Sequence, residues 1–433
     1  MQVRRWFDAE VWRLEPNLWV LVIATFIATF TFVTTPWLAL AACGVIIAAT
    51  MYVAGQGELQ VSLRPVPNWL IVGGIGTGYI LVSILWSGDP RSTALSALIL
   101  ALLLIGAHVA LSALEALPLA ALEHMSRTML VALILALLFL LSEELSNHAI
   151  KRGLSWPFRA VRWRDGGLSV DWAVRAVKIS PAAIKWNMPA LSFLLWPTLL
   201  ICALQIGWRQ SRWPQLAIGG AAFLLIMLSD HRTSQVAFVL AVAVFGVAWL
   251  YPARARQALM ALWVMSFVAI IPLAQAAYDA KLHLGGQVGP TMAARIILWN
   301  YTAVEVPKHP IIGVGAAATR LIDNQREALS PAPQPAGYYY QLRTGPHAHD
   351  VFLQSWYELG ALGTLLFMAF GLGVLATIAA APREAQPYLL AAATTVWVTS
   401  AASFGLFEPW FMGAYAMGAL ASGVAVAYRL RLA

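Results

Sequence analysis

Apolar residues fall in long blocks along the chain, and polar residues are largely confined to the connections between them. Twelve blocks approach or reach the roughly 20 residues that a helix needs to cross about 30 Å of hydrocarbon. They are 17–34, 37–54, 68–87, 93–114, 128–142, 188–208, 213–229, 235–250, 257–277, 355–380, 387–405 and 409–428. Backbone groups find no partner in lipid, and these blocks are too long for barrel strands, so they are read as helices. The expected fold class is an all-α polytopic membrane protein with about twelve transmembrane helices. The first five fall in 1–143, the next four in 188–277 and the last three in 355–433. Two long polar connections, 144–187 and 278–354, separate these groups.

Composition supports the pattern. Hydrophobic residues make up 60% of the chain and charged residues 11%, less than half the share usual in soluble domains. Cys43 and Cys202 both lie inside apolar blocks and read as small buried hydrophobes. Inside the blocks ionisable residues are scarce, with His108 and Glu358 the exceptions. Ion-coupled transporters need charges within the membrane, so this scarcity argues against transport.

Charge sets the expected orientation. Arg4, Arg5 and Arg13 favour a cytoplasmic N-terminus, and twelve crossings then return the C-terminus, with Arg429 and Arg431, to the same side. Both long connections then face outward. They are basic: Lys151, Arg152, Arg159, Arg162, Arg164, Arg175, Lys178 and Lys185 in the first, and Lys281, Arg295, Lys308, Arg320, Arg326 and Arg343 in the second. Long segments escape the positive-inside rule, so this charge is free to meet an anionic partner or anionic headgroups. Trp156, Trp163, Trp172 and Trp186 interleave the first connection. The segment 169–179, with Val170, Ala173, Val174 and Val177 on one face, reads as an interfacial helix.

The second connection carries the candidate chemistry. Residues 291–306 form an expected amphipathic helix ending before Pro307, followed by a turn at Pro310 and Gly313-Val314-Gly315. A Pro/Ala/Tyr-rich loop covers 330–340, and Gly345-Pro346-His347-Ala348-His349-Asp350 then runs directly into the tenth block. Three readings of the His-x-His-Asp run stand side by side. With Asp230 and His231 it offers metal-ligand chemistry, although no zinc-type spacing is present. Asp350 suits the N-cap of the tenth helix. A histidine can also take a proton from a sugar hydroxyl near neutral pH. Arg232 and Arg295 fall on the same side, and guanidinium groups grip phosphate oxygens with paired hydrogen bonds.

Three motifs in order resemble the bacterial O-antigen ligase and O-antigen polymerase superfamily of membrane glycosyltransferases. His347-Ala348-His349-Asp350-Val351-Phe352-Leu353 resembles its H-x-H-N-x-x-L signature. His231-Arg232 resembles an S-R pair at a helix start. Arg295 with Pro310-Ile311-Ile312-Gly313-Val314-Gly315 resembles its arginine-bearing helix and P-x-x-G-x-G turn. Asp350 departs from the Asn, and His231 from the Ser. A carboxylate orienting His349 would raise its basicity.

The resemblance implies a GT-C-like fold with two long periplasmic segments, in the bacterial inner membrane, with the active site facing the periplasm. It implies a metal-independent glycosyltransferase without a cofactor. The donor would be an O-antigen glycan on undecaprenyl diphosphate and the acceptor lipid A–core, with membrane lipids but no nucleic acid as further partners. His349 would be catalytic and Arg232 and Arg295 would bind diphosphate. His347, Asp350 and His231 would support them. Arg159, Arg162 and Arg164 would meet the acceptor's phosphates. An O-antigen polymerase or a protein O-oligosaccharyltransferase is the alternative within the superfamily. A transporter of anionic lipid or glycan is the alternative from another class.

Overall fold

The computed structural model describes residues 16–31, 33, 38–55, 66–147, 149–150, 168–171, 176–179, 187–207, 210–229, 231–284, 286, 288–329 and 344–432. Each of the twelve apolar blocks overlaps a helix. In chain order the helices are α1 (Pro16–Phe30), α2 (Leu38–Gly55), α3 (Asn68–Val82, extended by a 3-10 turn, Ser83–Leu85), α4 (Pro90–Ala116) and α5 (Leu119–Leu145). There follow α6 (Asn187–Ile206), α7 (Arg212–Leu228), α8 (Arg232–Leu250), α9 (Pro252–Asp279), α10 (Pro290–Glu305) and α11 (Thr319–Leu329). The last three are α12 (Val351–Thr377, extended by Ile378–Ala380), α13 (Gln386–Ala402) and α14 (Pro409–Arg431).

Among the described residues, eight helices are long and apolar enough to cross a membrane: α3, α4, α5, α6, α8, α9, α12 and α14. Helices α1, α2 and α7 are apolar but shorter. The chain is therefore a multi-pass membrane protein. Leu95, Leu98, Leu102 and Ile105 of α4 and Val236, Val239 and Val242 of α8 are exposed, as expected of surfaces that face lipid tails.

Helix α6 is the axis of the bundle. It is apolar all round and almost wholly buried, and it packs on α5, α7, α13 and α14. Helix α5 starts at Leu119, well before the predicted block at 128–142. Glu123 and Arg127, one turn apart, form an ion pair, and Arg127 also donates to Gln205 of α6 at 3.3 Å. Such pairing accommodates charges where an apolar count ends the block. Toward its other end Glu143 is fully buried, so the helices carry acid that the block boundaries left out.

Consecutive helices run in alternating directions. The starts of α8, α12 and α14 therefore meet the ends of α7, α9 and α13 at one end of the bundle, with α10 and α11. Thr233 of α8 donates to the Ala402 carbonyl of α13 at 3.2 Å there. At the opposite end Arg429 pairs with Glu384, and Arg431 donates to the Glu115 carbonyl.

Helix α12 is broken at Gly360, where φ is +62°, and the turn at 310–315 fills the break. The N–H groups of Ala361 and Leu362 donate to the Pro310 and Ile311 carbonyls, at 2.9 and 3.1 Å. The Tyr357 and Glu358 carbonyls accept from Val314 and Gly315, at 3.1 and 2.9 Å. Glu358 accepts from the Ala317 N–H at 2.8 Å, from Thr319 and from Gln354 at 3.0 Å. The 278–354 connection is thus wedged into the bundle through its middle.

One expectation fails. Within 169–179, read as an interfacial helix, the described residues instead form paired antiparallel strands, β1 (Leu168–Asp171) and β2 (Ala176–Ile179), with Val170 opposite Val177 and Leu168 opposite Ile179. Leu168 to Asp171 and Val177 to Ile179 alternate apolar and polar, a period of two that suits a strand. The all-α class describes the bundle, with these paired strands within the 144–187 connection.

Candidate active site

The approach to α12 is fixed at several points. Trp299 of α10 donates through Nε1 to the Ala348 carbonyl at 2.8 Å, and Asp323 of α11 accepts from the Gly345 N–H at 3.0 Å. Asp350 caps α12 by accepting from the Leu353 N–H at 2.8 Å, as its place before an apolar run predicts. It is almost fully buried. Burial pushes its pKa up to about 7, against the backbone donors of Leu353 and Phe352 and the charge of Arg295.

His349 has φ +53°, a left-handed conformation that costs a non-glycine residue about 1–2 kcal/mol. Two contacts hold it there. Its N–H donates to Nδ1 of His347 at 3.3 Å, and its own Nδ1 lies 2.8 Å from the Ser403 carbonyl, which follows α13. A carbonyl only accepts, so Nδ1 of His349 carries the proton and Nε2 carries the lone pair. In His347 the assignment is reversed: Nδ1 accepts, so the proton sits on Nε2. The rings are 4.0 Å apart, edge to face. Of the two, His349 is the one with its Nε2 lone pair left for a substrate proton.

Both imidazoles are held neutral. Burial drives His347 down to about 3, helped by His349, Arg320 and Arg295. Burial also lowers His349, opposed by the hydrogen bond to Ser403 and reinforced by Arg295. Arg295 stands on α10, whose Ile296, Leu298 and Ala303 are buried. That amphipathic helix matches the expected 291–306 element, and the charge of its Arg295 acts on His347, His349 and Asp350 alike.

The α8 start joins the same cluster. His231 caps α8 by accepting from the Ser234 N–H at 3.2 Å, the task a serine performs at such a position. Its Nε2 lies 3.4 Å from the Ser403 hydroxyl, and its ring stacks on Phe404. Arg232 is exposed, with its guanidinium turned to Gln235 at 3.1 Å. It joins the cluster through its neighbour His231.

Arg159, Arg162 and Arg164 lie outside the described residues, as does Asp230 of the metal reading. Among the described residues no group of three or more His, Cys, Asp or Glu side chains is placed to hold a metal. Ser403, Glu408 and Arg320 were missed from sequence. Ser403 acts on His349 through a carbonyl, which every residue carries, so no sequence signal exists. Glu408, an isolated acid in the link between the last two apolar blocks, offered a signal.

No curated protein matches the chain. A family model described as O-Antigen ligase matches residues 216–368, about a third of the 433 residues. The match contains His231, Arg232, Arg295, His347, His349 and Asp350 and stops short of Ser403 and Glu408. This stretch, which holds the arginine and histidine cluster, is thus similar to the O-antigen ligase family.

Proposed function

We propose that the protein is an O-antigen ligase of the bacterial inner membrane. It transfers O-antigen glycan from undecaprenyl diphosphate to lipid A–core on the periplasmic face. The observation that carries this reading is the tautomer of His349 fixed by the Ser403 carbonyl, with Nε2 left as an acceptor in the field of the Arg295 charge.

In the reaction, Nε2 of His349 accepts the proton of the acceptor hydroxyl as its oxygen bonds to the anomeric carbon. The bond from that carbon to the diphosphate oxygen breaks, and undecaprenyl diphosphate leaves with the electron pair. Arg295, with Arg232 at the rim, meets the negative charge growing on the leaving group. Proton transfer to water then returns His349 to its neutral form. The sugar diphosphate is already activated, so the transfer needs neither a nucleotide-binding loop nor a metal.

Donor binding and base strength are coupled in this scheme. Arg295 holds the His349 pKa down, and a diphosphate on Arg295 offsets that charge. The base therefore strengthens when the donor is in place.

The test combines purified protein with lipid-linked glycan, supplying lipid A–core, a second lipid-linked glycan, or no acceptor. Glycosylated lipid A–core alone is the expected result. Lengthened lipid-linked glycan would instead identify a polymerase. Absence of any product, with movement of the donor lipid between leaflets, would identify a transporter.

A further inference from the structure

The link between α13 and α14 reaches both catalytic-site imidazoles. At one end the Ser403 carbonyl accepts from Nδ1 of His349. At the other, Oε1 of Glu408 faces Nε2 of His347 at 4.0 Å. Between them the link is fixed against α12, because the Leu406 N–H donates to Oε1 of Gln354 at 2.9 Å. A Cβ at Gly405 would lie 2.9 Å from the His347 Cβ and 3.1 Å from Oε1 of Gln354. Backbone and imidazole are therefore already in contact.

Glu408 precedes Pro409 at the start of α14, where an acid suits the helix dipole. Its carboxylate makes no capping hydrogen bond. It turns away from its own helix, and Arg320 of α11 holds it by an ion pair at 2.8 Å. From that position its charge faces the protonated nitrogen of His347 at 4.0 Å, an electrostatic separation longer than a hydrogen bond.

The geometry points to Glu408 as a positioning residue for the histidine pair, held in place by Arg320. The carboxylate keeps the His347 proton on Nε2. That leaves Nδ1 of His347 as the acceptor for the His349 N–H, which fixes His349 in its left-handed conformation. Were the His347 proton to move to Nδ1, two N–H groups would oppose each other and His349 would lose one of its two anchors. This assignment rests on His349 as the base. It adds a residue beyond the segment 216–368 to the machinery of the site.

The experiment compares wild type with Glu408→Ala in detergent, reading glycan transfer and the tautomer of His347 by 15N NMR of labelled histidine. The expected result is a kcat lowered about 10–100-fold, as small displacements of a reacting group cause, with donor KM unchanged. The His347 proton is expected to leave Nε2, and Glu408→Gln, which keeps an acceptor oxygen, should recover part of the rate. An unchanged kcat, or a lowered kcat with the His347 tautomer intact, overturns the proposal. If Glu408→Ala fails to fold, the same two readings are taken on Glu408→Val, which also has no acceptor, with a wild-type value in either overturning the proposal. His349→Ala is run alongside. Near-normal transfer there removes the base assignment itself, while the His347 tautomer still reports whether Glu408 holds that ring.

Discussion

Two side chains at the site, Asp350 and His231, do work that their residue type alone would not assign. Asp350 stands where the family signature has asparagine, a departure that left open which group orients His349. It is committed to the start of α12, and the Ser403 carbonyl orients His349 instead. His231 stands where the signature has serine and still caps α8. The caps were legible because each sits just ahead of an apolar run. The tautomers were not, since they depend on a carbonyl 54 positions away in the chain.

Asp350→Asn tests the residue scale. Asparagine keeps the acceptor for the Leu353 N–H and removes the cost of burying a charge. The Asp350 pKa is raised on folding, so its contribution to stability is present below the unfolded pKa and is lost as pH rises toward about 7. The variant should therefore melt a few degrees above wild type near pH 7, with the gap growing from pH 4 to pH 7 and levelling off beyond. Thermal melting in detergent across that range checks it, and a constant gap contradicts the burial argument.

At the scale of elements, the 310–315 turn and the break in α12 form one unit. The sequence announced the turn through Pro310, Gly313 and Gly315 and announced α12 as an unbroken block. It could not announce their union, because Gly360 reads as one small residue among several in a span. The need for glycine is steric at both partners. A Cβ on Gly313 would lie 2.3 Å from the Glu358 carbonyl oxygen, and one on Gly360 would lie 2.4 Å from the Ile311 carbonyl carbon. Both residues also have positive φ.

Gly313→Ala should thus cost on the order of 3 kcal/mol or more and lower the melting temperature sharply. Gly219→Ala on α7, where nothing lies within 4 Å of the added carbon, should leave it near wild type. Equal behaviour of the two variants would show that the wedge does not bear on stability. The paired strands 168–171 and 176–179 are the opposite lesson. Short pieces of alternation sit inside a longer helical stripe, and antiparallel pairing decides between them.

Over the whole molecule, the bundle was legible because lipid forces apolar residues into long runs, and each of the twelve runs overlaps a helix. Convergence of the site was legible from direction alone. Alternating helices bring the ends of α9 and α13 together with the starts of α8, α12 and α14, and the motifs lie there. What the runs do not encode is depth of contact. The charge of Arg295 acts on both histidines, whereas Arg232 turns to Gln235, although the sequence offered the two as equivalent.

The most direct measurement is steady-state transfer of lipid-linked glycan to lipid A–core by His349→Ala, with donor binding measured in parallel. A base that takes the acceptor proton predicts a kcat lowered roughly 10²–10⁴-fold with donor affinity retained, since Arg232 and Arg295 are intact. Turnover within a few-fold of wild type would contradict it.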